Sequence, residues 1–130
     1  MTEKGLKYLA DIMRAIELIK EFTSTISLYS DYVKDLKTQS AVERQLGIIG
    51  EAVKNLPKEM TNKYPYIPWK DIVGTRDKVI HQYFDVDLDI LWEVIEKNIP
   101  DLKQNILKIK EDIEEENKKD RTKRRFAIKG

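Results

Sequence analysis

Between positions 88 and 113 the apolar residues Leu88, Leu91, Trp92, Ile95, Ile99, Leu102, Ile106, Ile109 and Ile113 recur at intervals of three and four, with one adjacent pair. At 3.6 residues per turn this places them on one side of a helix, whereas an extended chain would scatter them over both faces. The stripe is far longer than an ordinary strand, so it commits the C-terminal half to a long amphipathic helix whose apolar seam requires partners. Asp87 is a suitable N-cap for it. Pro100 falls inside and should bend it, because proline removes one backbone hydrogen bond.

The rest of the chain supplies those partners. Leu6, Leu9, Met13, Ile16, Ile19 and Phe22 predict a helix over roughly residues 4 to 24. The hydroxyl-rich and β-branched stretch from Thr23 to Asp31 breaks it and leads through a short turn or extra helix. A second pattern runs from about Asp35 to Leu56 through Leu36, Ala41, Leu46, Ile49, Ala52 and Val53, and stops at Pro57. Gly47 and Gly50 lie inside it, each costing about 1 kcal/mol relative to alanine, and close approach of another helix is the simplest reason for them. Pro65 and Pro68, with Tyr64, Tyr66 and Trp69, form a rigid connector. Pro68 suits the first turn of a third helix over about residues 69 to 83, which offers Trp69, Ile72, Val73, Val79 and Ile80 to the core and is broken by Asp85-Val86-Asp87. With no strand-like alternation, hairpin signal or internal repeat, the expected fold is all-α. It is an antiparallel up-and-down four-helix bundle, with a short extra turn or helix between the first and second helices.

At 130 residues the chain is one domain. Its charged fraction, 36% against 41% apolar, suits amphipathic helices with solvated outer faces. The net charge of +1 conceals an asymmetry, because residues 118 to 130 carry seven bases and one acid, which leaves −5 on residues 1 to 117. The chain therefore divides into a helical domain over 1–117 and a basic, flexible tail over 118–130, which suits either RNA phosphates or an acidic partner. The absence of cysteine excludes disulfides and thiol chemistry. A single histidine cannot supply a zinc site, so no metal or other cofactor is expected. There is no apolar run of membrane-spanning length and no signal-peptide core, so the expected compartment is the cytoplasm, away from any membrane.

The chemistry concentrates in Gly74-Thr75-Arg76-Asp77-Lys78-Val79-Ile80-His81-Gln82-Tyr83, which holds the only histidine. Imidazole titrates near neutrality, at a pKa of ~6.5, and guanidinium is a planar fork that matches a phosphate. Arg76 and His81 therefore point to phosphodiester chemistry more readily than to a peptidase or redox site. If the segment is helical, Asp77 and His81 share a face, Arg76 and Tyr83 share another two turns apart, and Arg76 and His81 lie roughly 140° apart around the axis. One phosphate held by both would sit across the helix shoulder or in a cleft completed by a second subunit, and a symmetric dimer would pair two copies of each residue.

Arg76-x4-His81-x-Tyr83 is embedded in further recognisable sequence: Ala41-Val42-Glu43-Arg44 and Ile48-Ile49-Gly50-Glu51-Ala52, then Ile67-Pro68-Trp69-Lys70-Asp71-Ile72-Val73-Gly74, then Tyr83-Phe84-Asp85-Val86-Asp87 and Leu91-Trp92. Over about residues 5 to 110 the chain resembles the HepT-like toxins, a branch of the HEPN superfamily of helical, often RNA-cleaving domains. The resemblance implies a dimer, or an assembly of dimers, with a metal-independent ribonuclease site at the dimer cleft. Arg76 would bind and polarise the phosphate, His81 would transfer the proton, and Asp77 would orient His81 or the RNA. It also implies a toxin–antitoxin pair of type II or VII character, in which a minimal nucleotidyltransferase antitoxin adenylylates Tyr83. The added bulk and negative charge would then compete with RNA phosphate for Arg76.

Two other readings stand beside this one. The chain could be a non-catalytic subunit that presents a pocket or Tyr83 to a nucleotidyltransferase, or a bundle in which Arg76, Asp77 and His81 merely form surface ion pairs worth about 0–1 kcal/mol. Arg44 and Glu51, seven apart on one face of the second helix, suit an interhelical or dimer salt bridge and stay outside the expected site. Tyr64, Tyr66 and Trp69 suit core packing or a loop clamp better than stacking on RNA bases.

Overall fold

The computed structural model describes residues 3–82 and 85–129, with side chains over 3–79 and 86–127. The helices are α1 (Glu3–Thr23), α2 (Tyr29–Lys34), α3 (Leu36–Lys54), α4 (Lys58–Lys63), α5 (Trp69–Val79), α6 (Leu88–Glu93) and α7 (Ile99–Lys129). A π-helical turn over Val94–Asn98 joins α6 to α7. The fold is all-α, as the periodicity predicts, and α2 is the extra element expected after the first helix. No helix among the described residues is long and apolar enough to cross a membrane.

Cross-contacts give the helix directions. Gly50 faces Val73 and Gly47 faces Arg76, so position numbers fall along α3 as they rise along α5. Glu17 of α1 meets Lys103 of α7 at 2.9 Å. The core is one cluster drawn from all the long helices, with Leu9, Ile12 and Ile16 from α1, Val42 and Ile49 from α3, and Ile106 and Ile109 from α7. The expected faces hold along most of both stripes, with Leu9, Ile16 and Ile19 of the first and Leu46, Ile49, Ala52 and Val53 of the second buried. The first apolar residue of each departs: Leu6 is 41% and Leu36 73% exposed, while Ile12 and Val42, outside the expected stripes, are fully buried.

Local chemistry explains most of the boundaries. Asp35 caps α3 by accepting from the Thr38 backbone N–H at 3.0 Å, and Asp87 caps α6 by accepting from Ile90 at 3.2 Å. The buried Gln39 amide donates to the Tyr32 and Val33 carbonyls, fastening α2 onto α3. Trp69 acts as a loop clamp, its indole N–H shared between the Thr61 and Tyr64 carbonyls. Pro100 does not simply bend the last helix. The turn before it widens to π geometry, with the Ile99 N–H reaching back to Val94, which accommodates the missing donor of Pro100.

The main departure lies after α5. The third helix does not run to 83; it ends at Val79, and Ile80–Gln82 (β1) pairs antiparallel with Asp85–Val86 (β2). The Asp87 N–H closes this ribbon on the Val79 carbonyl at 2.6 Å. Val79, Ile80 and Val86 are β-branched and favour extended chain. With strands of three and two residues, no alternation could reveal the ribbon in the sequence. The segment 118–130, expected as a basic, flexible tail, is helical as far as Lys129, a continuation of α7 past its last buried side chain, Ile113.

Candidate active-site groove

The close approach of α5 to α3 builds the site. A Cβ placed on Gly50 would stand 3.2 Å from the Val73 carbonyl oxygen, a contact tight enough that the α5 backbone would have to give way by a few tenths of an ångström. One turn away, a Cβ on Gly47 would stand 3.2 Å from Cδ of Arg76. The expectation of close helix approach at the two glycines holds, and Gly47 adds that the approaching group is the motif arginine itself.

Arg76 lies across α3 into an open groove of about 640 Å³ between α1, α3 and α5. Arg44 and Glu51 line the same groove, with Glu43, Asp11, Tyr8, Ser40 and Asn55. Neither Arg44 nor Glu51 makes an interhelical ion pair among the described residues, and both line the groove that holds Arg76, although their spacing places them outside the expected site. The signal in the sequence is Gly47, three residues after Arg44 and four before Glu51, which marks where α5 crosses.

Glu43 is the groove carboxylate most affected by its surroundings. Partial burial pushes it above the usual carboxylate range, and Arg76 opposes that shift. Two arginines line this open, partly apolar groove together with the carboxylates of Asp11, Glu43 and Glu51, and the guanidiniums are the groups in it that can hold a phosphodiester oxygen. Among the described residues no three histidine, aspartate or glutamate side chains gather as a metal site.

Arg76 and Asp77 sit on the last turns of α5 and are exposed. Asp77 does not share a helical face with His81, because His81 lies in β1, beyond the helix end. The 140° separation of Arg76 and His81 therefore does not apply, and the two-turn stacking of Arg76 and Tyr83 falls outside the described residues. His81 lies in the strand Ile80–Gln82, which pairs antiparallel with Asp85–Val86. The His81 side chain and all of Tyr83 lie outside the described residues.

The all-α bundle, with the arginine of the Arg76-x4-His81 motif on α5 packed against Gly47 of α3, is that of a HEPN-type helical domain. The chain belongs to the family described as ribonuclease HepT-like, whose profile matches residues 12–109. It is 48% identical over 103 residues to a protein of Thermococcus cleftensis named "Probable ribonuclease HepT", a match covering 79% of this chain and 93% of that one. Two other relatives are each named "Putative RNase". The one from Methanocaldococcus jannaschii is 42% identical, over 89% of this chain and 96% of its own length. The one from Caldanaerobacter subterraneus subsp. tengcongensis is 48% identical, over 78% and 90%. No solved structure matches the chain.

Proposed function

We propose that this chain is a metal-independent endoribonuclease toxin, neutralised by a nucleotidyltransferase antitoxin that adenylylates Tyr83. The observation that carries the reading is Arg76, the motif arginine of a HepT-like chain, lying exposed in an open groove beside a second arginine, Arg44. Arg76 holds a non-bridging phosphate oxygen and stabilises the charge that develops there, the kind of term that is often the largest in catalysis. His81 accepts the 2′-hydroxyl proton as that oxygen attacks phosphorus. The 5′-oxygen leaves as an alcohol once a proton reaches it, from the same imidazole or from the symmetry-related His81 of a second subunit. Each proton-transfer role is typically worth about 10²–10⁴ in rate. The active form is a homodimer, or an assembly of dimers, with the cleft between two copies of the segment from Arg76 to Tyr83.

In the regulatory step, the Tyr83 oxygen attacks the α-phosphorus of ATP bound by the partner enzyme, a Tyr–O–AMP ester forms, and pyrophosphate leaves. The new phosphodiester supplies an internal anion for Arg76 in place of RNA. Co-expression with a minimal nucleotidyltransferase of the proposed antitoxin class, followed by intact mass measurement, tests this. The expected outcome is a gain of whole AMP units that maps to Tyr83 and abolishes RNA cleavage. An unmodified chain, or modification elsewhere, overturns the regulatory assignment.

A further inference from the structure

The helix α7 runs sixteen residues past its last buried position, Ile113, to Lys129. At ~1.5 Å per residue that is an arm of about 24 Å. Every side chain from 114 to 127 is exposed. The acids at its root are tied to the bundle: Asp112 accepts from Tyr64 at 2.8 Å and pairs with Lys108, and Glu116 pairs with Lys63. The cations beyond are not. Lys118, Lys119, Arg121, Lys123, Arg124 and Arg125 have no ion-pair partner among the described residues. Cations near a helix C-terminus favour the helix through its dipole, but six of them within eight residues repel one another.

The arm's pattern separates its potential partners. The apolar stripe at 99, 102, 106, 109 and 113 stops there, and its continuation at 117, 120 and 124 reads Asn117, Asp120 and Arg124. A protein helix or a second copy of this arm would find no hydrophobic seam to pack on. A polyanion needs none, and it relieves the repulsion among the six cations. The profile of the HepT-like family matches as far as residue 109, before the arm begins.

We infer that residues 118–125 form a second RNA-binding element, which grips the phosphodiester backbone of the RNA whose scissile phosphate lies at Arg76. The arm leaves the bundle at the end marked by α4, where Lys63 meets Glu116, while Arg76 sits further along, beside Gly47. RNA that reaches both is held at two points, so the arm discriminates long RNA from short without touching the reacting bond. This rests on the ribonuclease reading for its choice of RNA, but its test does not depend on cleavage.

The test measures binding of a labelled single-stranded RNA across a salt series, with His81→Ala in every chain so that the probe stays intact. The full-length chain is compared with one in which Lys118, Arg121 and Arg125 are glutamine, and one in which all six cations are. For each phosphate that the protein no longer neutralises, the slope of log affinity against log salt falls by about 0.7. The expected reductions in slope are therefore up to about 2 and about 4, with affinity falling about tenfold or more at low salt and the thermal midpoint unchanged. Unchanged affinity and slope in both variants overturn the inference. So does a change of oligomeric state with RNA affinity intact, which would assign the arm to a protein interface. Cleavage of a short RNA by chains that retain His81 reads the nuclease separately: arm-dependent binding without cleavage removes only the ribonuclease reading, and cleavage without arm-dependent binding removes only this one.

Discussion

Gly47 and Arg76 are a matched pair: the absence of a side chain on one leaves room for the stem of the other, and a Cβ at 47 would stand 3.2 Å from Cδ of the arginine. The neighbour of Gly50, by contrast, is backbone, the Val73 carbonyl at the same 3.2 Å. Alanine at either site gains up to about 1 kcal/mol of helix propensity. At 47 the obstacle is the flexible stem of an arginine and can move. At 50 it is a helix and cannot move without separating α5 from α3.

The two substitutions should therefore split stability from activity. Gly47→Ala is expected to leave the thermal midpoint unchanged or slightly higher, while RNA cleavage falls about tenfold or more, because a displaced catalytic group is costly even at ~1 Å. Gly50→Ala is expected to lower the midpoint, since overpacking against backbone typically costs about 1–3 kcal/mol. Thermal melts and cleavage rates on the same samples check both. Equal loss of stability at the two sites would contradict the pairing.

The Tyr64–Asp112 hydrogen bond at 2.8 Å joins the end of α4 to α7. That bond, and then Lys108, hold the Asp112 carboxyl below the usual carboxylate range. A folded-state pKa below the unfolded value contributes stability above the unfolded pKa and loses it as pH falls through the folded one. Asp112→Asn should therefore melt below the unsubstituted chain at neutral pH, and the gap should close toward pH ~2, where both forms are uncharged, in line with proton linkage. A gap that persists in acid would assign the effect to packing.

Tyr32 is fully buried, with its ring 5.2 Å from that of Trp92 and its hydroxyl without a hydrogen-bond partner among the described residues. Removing an unsatisfied buried hydroxyl recovers its desolvation cost, roughly 1–3 kcal/mol. Tyr32→Phe keeps the ring contact and should raise the denaturation midpoint. A lower midpoint would show that the hydroxyl has a partner.

The bundle is legible in the sequence because long amphipathic stripes repeat over many turns. The seam from Leu91 to Ile113 and the stop at Pro57 survive intact. The end of α5 is not legible, because five residues of ribbon carry too little pattern to compete with a helical reading, and the geometric arguments that put His81 on a helical face with Asp77, or around the axis from Arg76, fail with it. The groove is half visible: Arg76 stands out by its motif, and the two glycines signal a crossing. Arg44 and Glu51 become site residues only once that crossing is located in space, because tertiary contact between α3 and α5 has no signature within either helix alone.

The proposed chemistry requires Arg76 and His81 to cleave RNA together. The decisive quantity is the rate at which the purified, unmodified full-length chain cleaves RNA in the presence of a metal chelator, beside Arg76→Ala and His81→Ala proteins that melt at the same temperature. The unsubstituted chain is expected to cleave, and each variant to fall by at least about 10²-fold, as for removing a proton-transfer or charge-stabilising group. Cleavage that survives either substitution, or that disappears from all three samples with the chelator, would refute the assignment.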